Sequence, residues 1–262
     1  MKNNLIRIPS TLRTNLEKRI LGIVYRIQNT GSGDFEKNGE LAFVRKLNEL
    51  YADKDFVFFD IGANKGEYTD MITKYLGPKS LSAHLFEPQK ACFKNLGSKP
   101  WADKGVTLNN FGLSDETHTA TLFKDADQSG LASLSKRNLG HYGIDMGMTE
   151  KIELRRADEY IAQKNISKIS LIKIDVEGHE IPALSGFGDF LNGDNVDFIQ
   201  FEYGGANLDS HTSLMELFEF FSTRGFTVCK MMRKGLEARP YGPELENFMY
   251  QNFVAVSNRL VE

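Results

Sequence analysis

Four carboxylates close four apolar runs in this chain of 262 residues: Asp60 ends FVFFD (56–60), Glu87 ends LSAHLFE (81–87), Asp175 ends ISLIKID (169–175) and Glu202 ends VDFIQFE (196–202). A carboxylate beside a core is costly unless a partner takes up its charge. Four of them, each at the end of an apolar run, therefore point to a ligand edge. Any single one can instead cap helix amides or pair with a lysine. Asp60 runs into the turn Gly62-Ala63-Asn64-Lys65-Gly66, whose glycines leave the backbone open to close approach. This is not the Gly-x-Gly-x-x-Gly fingerprint, which offers a helix start to a phosphate. Asp60 would repel a pyrophosphate there and suits a ligand with a positive end. Glu87 follows Gly66 by 21 residues, the spacing of the acid that accepts from two ribose hydroxyls in nucleotide folds. A nucleoside with a cationic tail and no phosphate points to S-adenosyl-L-methionine as cofactor.

The segment IKIDVEGHE (172–180) sets Asp175, Glu177 and His179 at alternate positions, which share one side if the chain is extended. Such a cluster can bind a metal, given further ligands and a second shell; no metal is assigned. It can serve as an acid–base group beside a reacting hydroxyl. It can also be structural, with His179 capping the following helix and the acids holding backbone or Lys173. As a base, His179 comes first, because an imidazole titrates at about pH 6.5; Asp175 is its rival or its orienting partner. The polar stretch from Asp125 to Gly147 is long for a connector. Its Ser133, Asn138, His141 and Tyr142 can hydrogen-bond a polyhydroxylated acceptor, as can Glu202, so the stretch reads as a substrate lid; the alternative is a disordered insertion.

These residues need strands and helices to hold them. A helix over GELAFVRKLNELY leads into the strand 56–60, and a second helix follows with Tyr68, Met71, Ile72, Tyr75 and Leu76 on one face. The strand 81–87 precedes Pro88, which suits a first helical turn, and VTLNNFGL (106–113) reads as a third strand. TATLFKD and KIELRR read as strands that can pair, and the helix ADEYIAQ leads to the strand 169–175. After the strand 196–202, a helix runs from Ser210 as cap to Gly225 as stop, and FTVCKM and FMYQNFVAVS close the chain as strands. Near-continuous apolar strands separated by helices indicate a parallel sheet covered on both faces, a doubly wound α/β fold. Its ligands bind at the carboxyl ends of the strands.

Composition narrows the class. With 41% hydrophobic and 26% charged residues the chain is globular, and a net charge of -3 gives no general affinity for nucleic acid. Cys92 and Cys229 are far apart among apolar residues, which argues against disulfides or a cysteine zinc site and for a reducing cytoplasm. No apolar run approaches the ~20 residues of a membrane span, and the first residues lack a signal-peptide core. NTGSGDF at 29–35 separates an extension, residues 1–35, from the domain at 36–262. In the extension Lys2, Arg7, Arg13, Lys18, Arg19 and Arg26 face Glu17 alone, while Leu12, Leu16, Ile20, Ile23 and Ile27 recur at helical spacing. Such a basic amphipathic helix packs on the main domain or a partner subunit, or lies on an anionic membrane, peripheral to its inner face.

From roughly residue 36 to 258 the sequence resembles the FkbM family of S-adenosylmethionine-dependent methyltransferases. DIGANKGEYT looks like that family's cofactor turn and LFEPQKACFKNL like its ribose-acid strand and helix; NNFGLSD and IKIDVEGHE match two further motifs, and FIQFEYGG its next strand. NGE at 38–40 is similar to a motif upstream of the turn in members found with surface-polysaccharide genes. The resemblance implies a Rossmann-like class I sheet of seven strands, the last (248–257) antiparallel. It implies methyl transfer to a hydroxyl of a saccharide, in a surface polysaccharide or glycolipid, or of a polyketide-like metabolite. By carry-over Asp60, Gly62, Asn64 and Gly66 line the methionine end, Glu87 holds the ribose, and the turn Asn110–Ser114 flanks the adenine. Asp175, Glu177 and His179 then face the reaction centre. Phe111 is bulkier than usual for its place and is expected to reshape the adenine pocket. A nicotinamide oxidoreductase would lack the phosphate fingerprint here, and a non-catalytic cofactor-binding module would not need the intact acids.

Overall fold

The structure, a computed structural model, describes residues 11–101 and 104–261. Lys2 and Arg7 of the basic extension, and the side chain of Leu12, lie outside the described residues. In chain order the elements are α1 (Thr11–Ile27), α2 (Glu40–Tyr51), β1 (Asp55–Ile61), α3 (Glu67–Tyr75), β2 (Ser80–Phe86), α4 (Lys90–Leu96) and β3 (Val106–Asn109). There follow β4 (Gly112–Leu113), β5 (His118–Lys124), β6 (Met148–Arg155), α5 (Ala157–Lys164), β7 (Ile169–Ile174) and α6 (Glu180–Ser185). The chain closes with β8 (Val196–Tyr203), α7 (Gly205–Ser210), α8 (Leu214–Ser222), β9 (Phe226–Met232), β10 (Gly235–Ala238) and β11 (Gln251–Ser257).

The main sheet runs β10-β9-β11-β8-β7-β1-β2-β3. Its centre is parallel, through the pairs β8–β7, β7–β1, β1–β2 and β2–β3, while β11 runs antiparallel to both β8 and β9. The expected seven strands with a reversed last one are thus present, and β10 adds an eighth by folding back on β9 as a hairpin. Alternation along β1 explains the two-sided burial: Phe59 and Ile61 enter one core cluster, Phe56 and Phe58 the other. Central β7 is buried at every position, as a strand covered on both faces must be.

Three boundaries differ from the sequence reading, each for a local reason. The third strand divides: Val106–Asn109 stays in the main sheet, and Gly112–Leu113 joins a second sheet of order β4-β6-β5. Phe111 sits at the break, buried against Phe86 and Tyr160 with the Arg155 guanidinium over its ring. Ser213, not Ser210, caps α8, with Glu216 completing a capping box, because Ser210 already ends α7. The last strand starts at Gln251, since Phe248 has a left-handed φ of 51° that no strand accommodates. No helix among the described residues is long and apolar enough to cross a membrane.

Candidate functional site

The turn after β1 brings the carboxyl ends of β1, β2 and β7 together. Gly62 has φ +82°, and a Cβ there would stand 2.0 Å from the Asp175 carbonyl oxygen. Gly66 has φ +76°, and its Cβ would meet the Trp101 ring at 2.3 Å. Both positions therefore demand glycine, on conformation and on space. Buried Asp60 accepts from the Thr69 hydroxyl at 2.6 Å, and burial pushes its carboxyl up to about 6 against that bond. Buried Glu87 accepts the Asn64 N–H at 2.8 Å on one oxygen and the Gln89 N–H at 2.7 Å on the other. Burial still pushes it up to about 7.

Two cavities meet at this turn. The first opens onto about 580 Å³ of empty space and is lined by Gly62, Glu87, Pro88, Gln89, Gly112 and Leu113, with Leu122, Ile152 and Leu154 of the second sheet opposite. That is the size and lining of a small-molecule site. Gln89 is 4% exposed; its Nε2 donates to the Ser129 carbonyl at 3.0 Å, but its Oε1 has no partner among the described residues. An orphaned acceptor beside Glu87 suits a hydroxyl-bearing ligand. The second cavity opens onto about 840 Å³ and is lined by Phe35, Glu40, Asp60, Tyr68, Lys173 and Tyr250. Gly62, Asn64, Gly130 and Asp175 belong to both walls. Its floor is a network in which Gln200 donates to Glu40 at 2.5 Å and accepts from Tyr68 at 2.6 Å. Asn38 holds the other Glu40 oxygen at 2.6 Å, which gives NGE a place in the site.

The IDVEGHE segment is not extended past Asp175. Glu177 and Gly178 take left-handed φ values of 53° and 97°, so the alternation expected of a strand is broken and the three side chains part. Asp175 borders both cavities and pairs with Lys173 at 3.3 Å. Burial alone would pull the Lys173 ammonium down, but Asp175, Glu40, Glu202 and Asp60 outweigh it and push it up. Glu177 meets Arg137 at 2.5 Å, and Arg137 also binds Asp209 at 3.1 Å. His179 borders the first cavity, with Nε2 3.0 Å from the Ser114 hydroxyl. Ser114 gives its hydrogen to Asp115 at 2.9 Å, so His179 Nε2 is the donor and Nδ1 carries the lone pair of the neutral ring. Burial pulls His179 down, and the charges that bear on it are Asp115 and His118 rather than Asp175.

The remaining expected residues fall in different places. Asn110 is exposed and outside both linings, its amide given to the Glu87 and Pro88 carbonyls. Ser114 and Phe111 are buried behind the first cavity, whose nearby wall is Gly112 and Leu113. Ser133 is buried, and its hydroxyl donates to the Glu177 carbonyl at 2.8 Å. His141 and Tyr142 stack on each other at 4.1 Å on the outside of the 125–147 segment, away from both linings. That segment is ordered over the first cavity: the Ser129 carbonyl accepts from Asn64 and Gln89, and Gly130, Ala132 and Leu134 face inward. Glu202 is partly buried and accepts no hydrogen bond among the described residues; burial, Asp175 and Glu177 push its carboxyl well up. Sequence reasoning missed Gln89, Arg137, Lys173 and Tyr250. Lys173 was signalled by its period-two relation to Asp175, and Gln89 by standing two residues past Glu87. Arg137 had no local signal.

The sequence profile described as the methyltransferase FkbM domain matches residues 60–228. The hexuronic acid methyltransferase AglP of Haloferax volcanii is 25% identical over 167 residues, 63% of this chain and 64% of that protein. The 31-O-demethyl-FK506 methyltransferase FkbM of Streptomyces tacrolimicus is 30% identical over 157 residues, 51% of this chain and 60% of that protein. The 2-O-methyltransferase NoeI of Sinorhizobium fredii is 26% identical over 205 residues, 73% of this chain and 81% of that protein. The chain thus spans just under two thirds of the first two relatives.

Proposed function

This chain belongs to the FkbM family of methyltransferases, and from that membership and the two joined cavities we propose that it methylates a hydroxyl oxygen of a saccharide. The family's cofactor is S-adenosyl-L-methionine, which supplies a methyl group on a positive sulfonium. The observation that carries the reading is Glu87 and the orphaned Gln89 Oε1 side by side in the first cavity, next to a turn whose glycines cannot be replaced. Glu87 and Gln89 hold the ribose hydroxyls; Leu113, Ile152 and Leu154 enclose the base. Asp60, Glu40 and Asp175 face the positive end from the second cavity, where Lys173 offers a counter-charge to a carboxylate. The 125–147 segment keeps water from the first cavity, and Arg137 ties it to Glu177. Such positioning can contribute on the order of 7–11 kcal/mol to a two-reactant step. A saccharide acceptor is supported by the aromatic and polar lining of the second cavity and by the sugar named for one relative, a hexuronic acid methyltransferase.

Calorimetric titration with S-adenosylhomocysteine tests this directly. The wild type binds, and Glu87→Ala weakens binding tenfold or more, as loss of ~1.5–3 kcal/mol of charged hydrogen bonding requires. A folded wild type that does not bind would sink the reading. We also assign α1 to the surface of an anionic membrane: it exposes Ile20, Ile23 and Ile27 beside Lys18, Arg19 and Arg26. Co-sedimentation with anionic vesicles measures that contact.

A further inference from the structure

We propose that Glu202 is the base of the transfer: its carboxylate receives the acceptor's proton and gives that proton up when the next cationic cofactor binds. This rests on the methyltransferase reading and adds a residue to it. Strand register carries the placement. Ile174 pairs with Phe201, so Asp175 and Glu202 stand side by side at the carboxyl ends of β7 and β8. Phe201 and Tyr203 point into the core on the opposite face, which turns Gln200 and Glu202 toward the second cavity's floor, where Gln200 binds Glu40 and Tyr68. Glu202 pairs across to Asn252 of β11, two residues from the cavity-lining Tyr250. Asn252 is 4% exposed, and its Oδ1 has no partner among the described residues. Thus an unpaired carboxylate and an orphaned amide oxygen lie together beside Asp175, the residue common to both cavities. His179 is poorly placed for the task, being tied to Ser114 on the first cavity's far side.

The charges around Glu202 explain the timing. Asp175 and Lys173 on β7, Glu177 in the following turn and Glu180 on α6 bear on it. Glu202 and Glu40 in turn bear on Tyr250. Arg137 already answers Glu177, and Lys173 answers Asp175. That leaves Glu202 with no cation of its own, so it keeps a proton until positive charge arrives. In the transfer the acceptor oxygen bonds to the methyl carbon as the carbon–sulfur bond breaks, and the bonding pair leaves on sulfur. The acceptor proton passes to Glu202. The products are a neutral thioether and a protonated Glu202, the arrangement the acid cluster favours without a cation, and the proton goes to solvent when the next sulfonium enters.

The test needs no acceptor. The full chain is titrated by calorimetry, in two buffers of different ionisation enthalpy, with S-adenosylhomocysteine, which is neutral at sulfur, and with sinefungin, which carries an amine at the methyl position. Ribose and amino-acid contacts are common to both ligands and cancel. Near pH 7 sinefungin should release about one more proton than the thioether, by linkage. In Glu202→Gln that difference should vanish, with thioether affinity kept within about twofold, a free-energy change of ~0.4 kcal/mol. An equal proton count for both ligands in the wild type, or a difference that survives in Glu202→Gln, would overturn the proposal. Should the variant not fold, the wild type still decides. The difference must fade as pH is raised until Glu202 ionises unaided, and a pH-independent difference refutes it. Failure of both ligands to bind would strike at the methyltransferase reading instead.

Discussion

At the scale of single residues, the glycine turn was legible because two constraints coincide there. Gly62 needs a left-handed backbone and also has no room for a Cβ, which would stand 2.0 Å from the Asp175 carbonyl. Gly143 separates the two effects, having φ +71° with nothing within 4 Å. Conformational strain of roughly 1–2 kcal/mol applies to both on substitution by alanine, while the clash applies only to Gly62. We expect Gly143→Ala to lose about that strain in denaturant stability and to bind S-adenosylhomocysteine normally. Gly62→Ala should lose at least twice as much and fail to bind. Equal losses would mean that the approach of Asp175 is not constraining. Glu87 could be read from spacing for the same reason, since its place follows from a strand end. The parting of Asp175 and His179 could not, because nothing in IDVEGHE announces that Glu177, a non-glycine residue, adopts φ 53°.

At the scale of elements, the parallel core was readable from its apolar runs, and the hairpin strand β10 was not. GLEA has no hydrophobic periodicity of its own, and it pairs with β9 because the chain turns back at Arg233 and Lys234. The helix α1 was readable as amphipathic, but its environment was not. The structure leaves Leu16, Ile20, Ile23 and Ile27 exposed, and no residue of α1 joins a core cluster among the described residues. One helix face therefore holds apolar surface with bases at its margin, four basic residues against Glu17, in a chain whose net charge is -3. Each basic residue near an anionic surface is worth about 1 kcal/mol, screened by salt. The chain should co-sediment with vesicles containing anionic lipid, less with pure phosphatidylcholine, and less again at high salt. Ile20→Glu with Ile23→Glu should abolish this without changing S-adenosylhomocysteine affinity. If that double change instead dissolves a dimer seen by ultracentrifugation, the face covers a second copy of the chain and the membrane assignment fails.

At the scale of the whole molecule, the site is a concentration of buried acid built into one end of the sheet. Folding places Asp60, Glu87, Glu177 and Glu202 where burial opposes their charge, and it raises all four. Asp60 rises to about 6, Glu87 to about 7 and Glu177 to about 8. A carboxyl raised on folding supports the folded state fully below its unfolded value, and that support is lost as pH climbs through the folded value. Buried histidines act the other way: His84, pulled down to about 4, and His179 cost stability as pH falls. Both are neutral in either state above about pH 7, where an unperturbed imidazole has already lost its proton. Lys230, pulled down to about 8 by burial, begins to favour the folded state only from there upward. Between about pH 7 and 8 the acids therefore govern, and the melting temperature of the cofactor-free protein should fall across that interval. Saturating sinefungin brings positive charge to the same acids, so its stabilisation should grow with pH and flatten the decline. Thermal scans at several pH values, with and without sinefungin, measure both slopes. A melting temperature that rises from pH 7 to 8 without ligand would show that the acids are compensated in the folded state, and the charge-driven account of the site would fall with it.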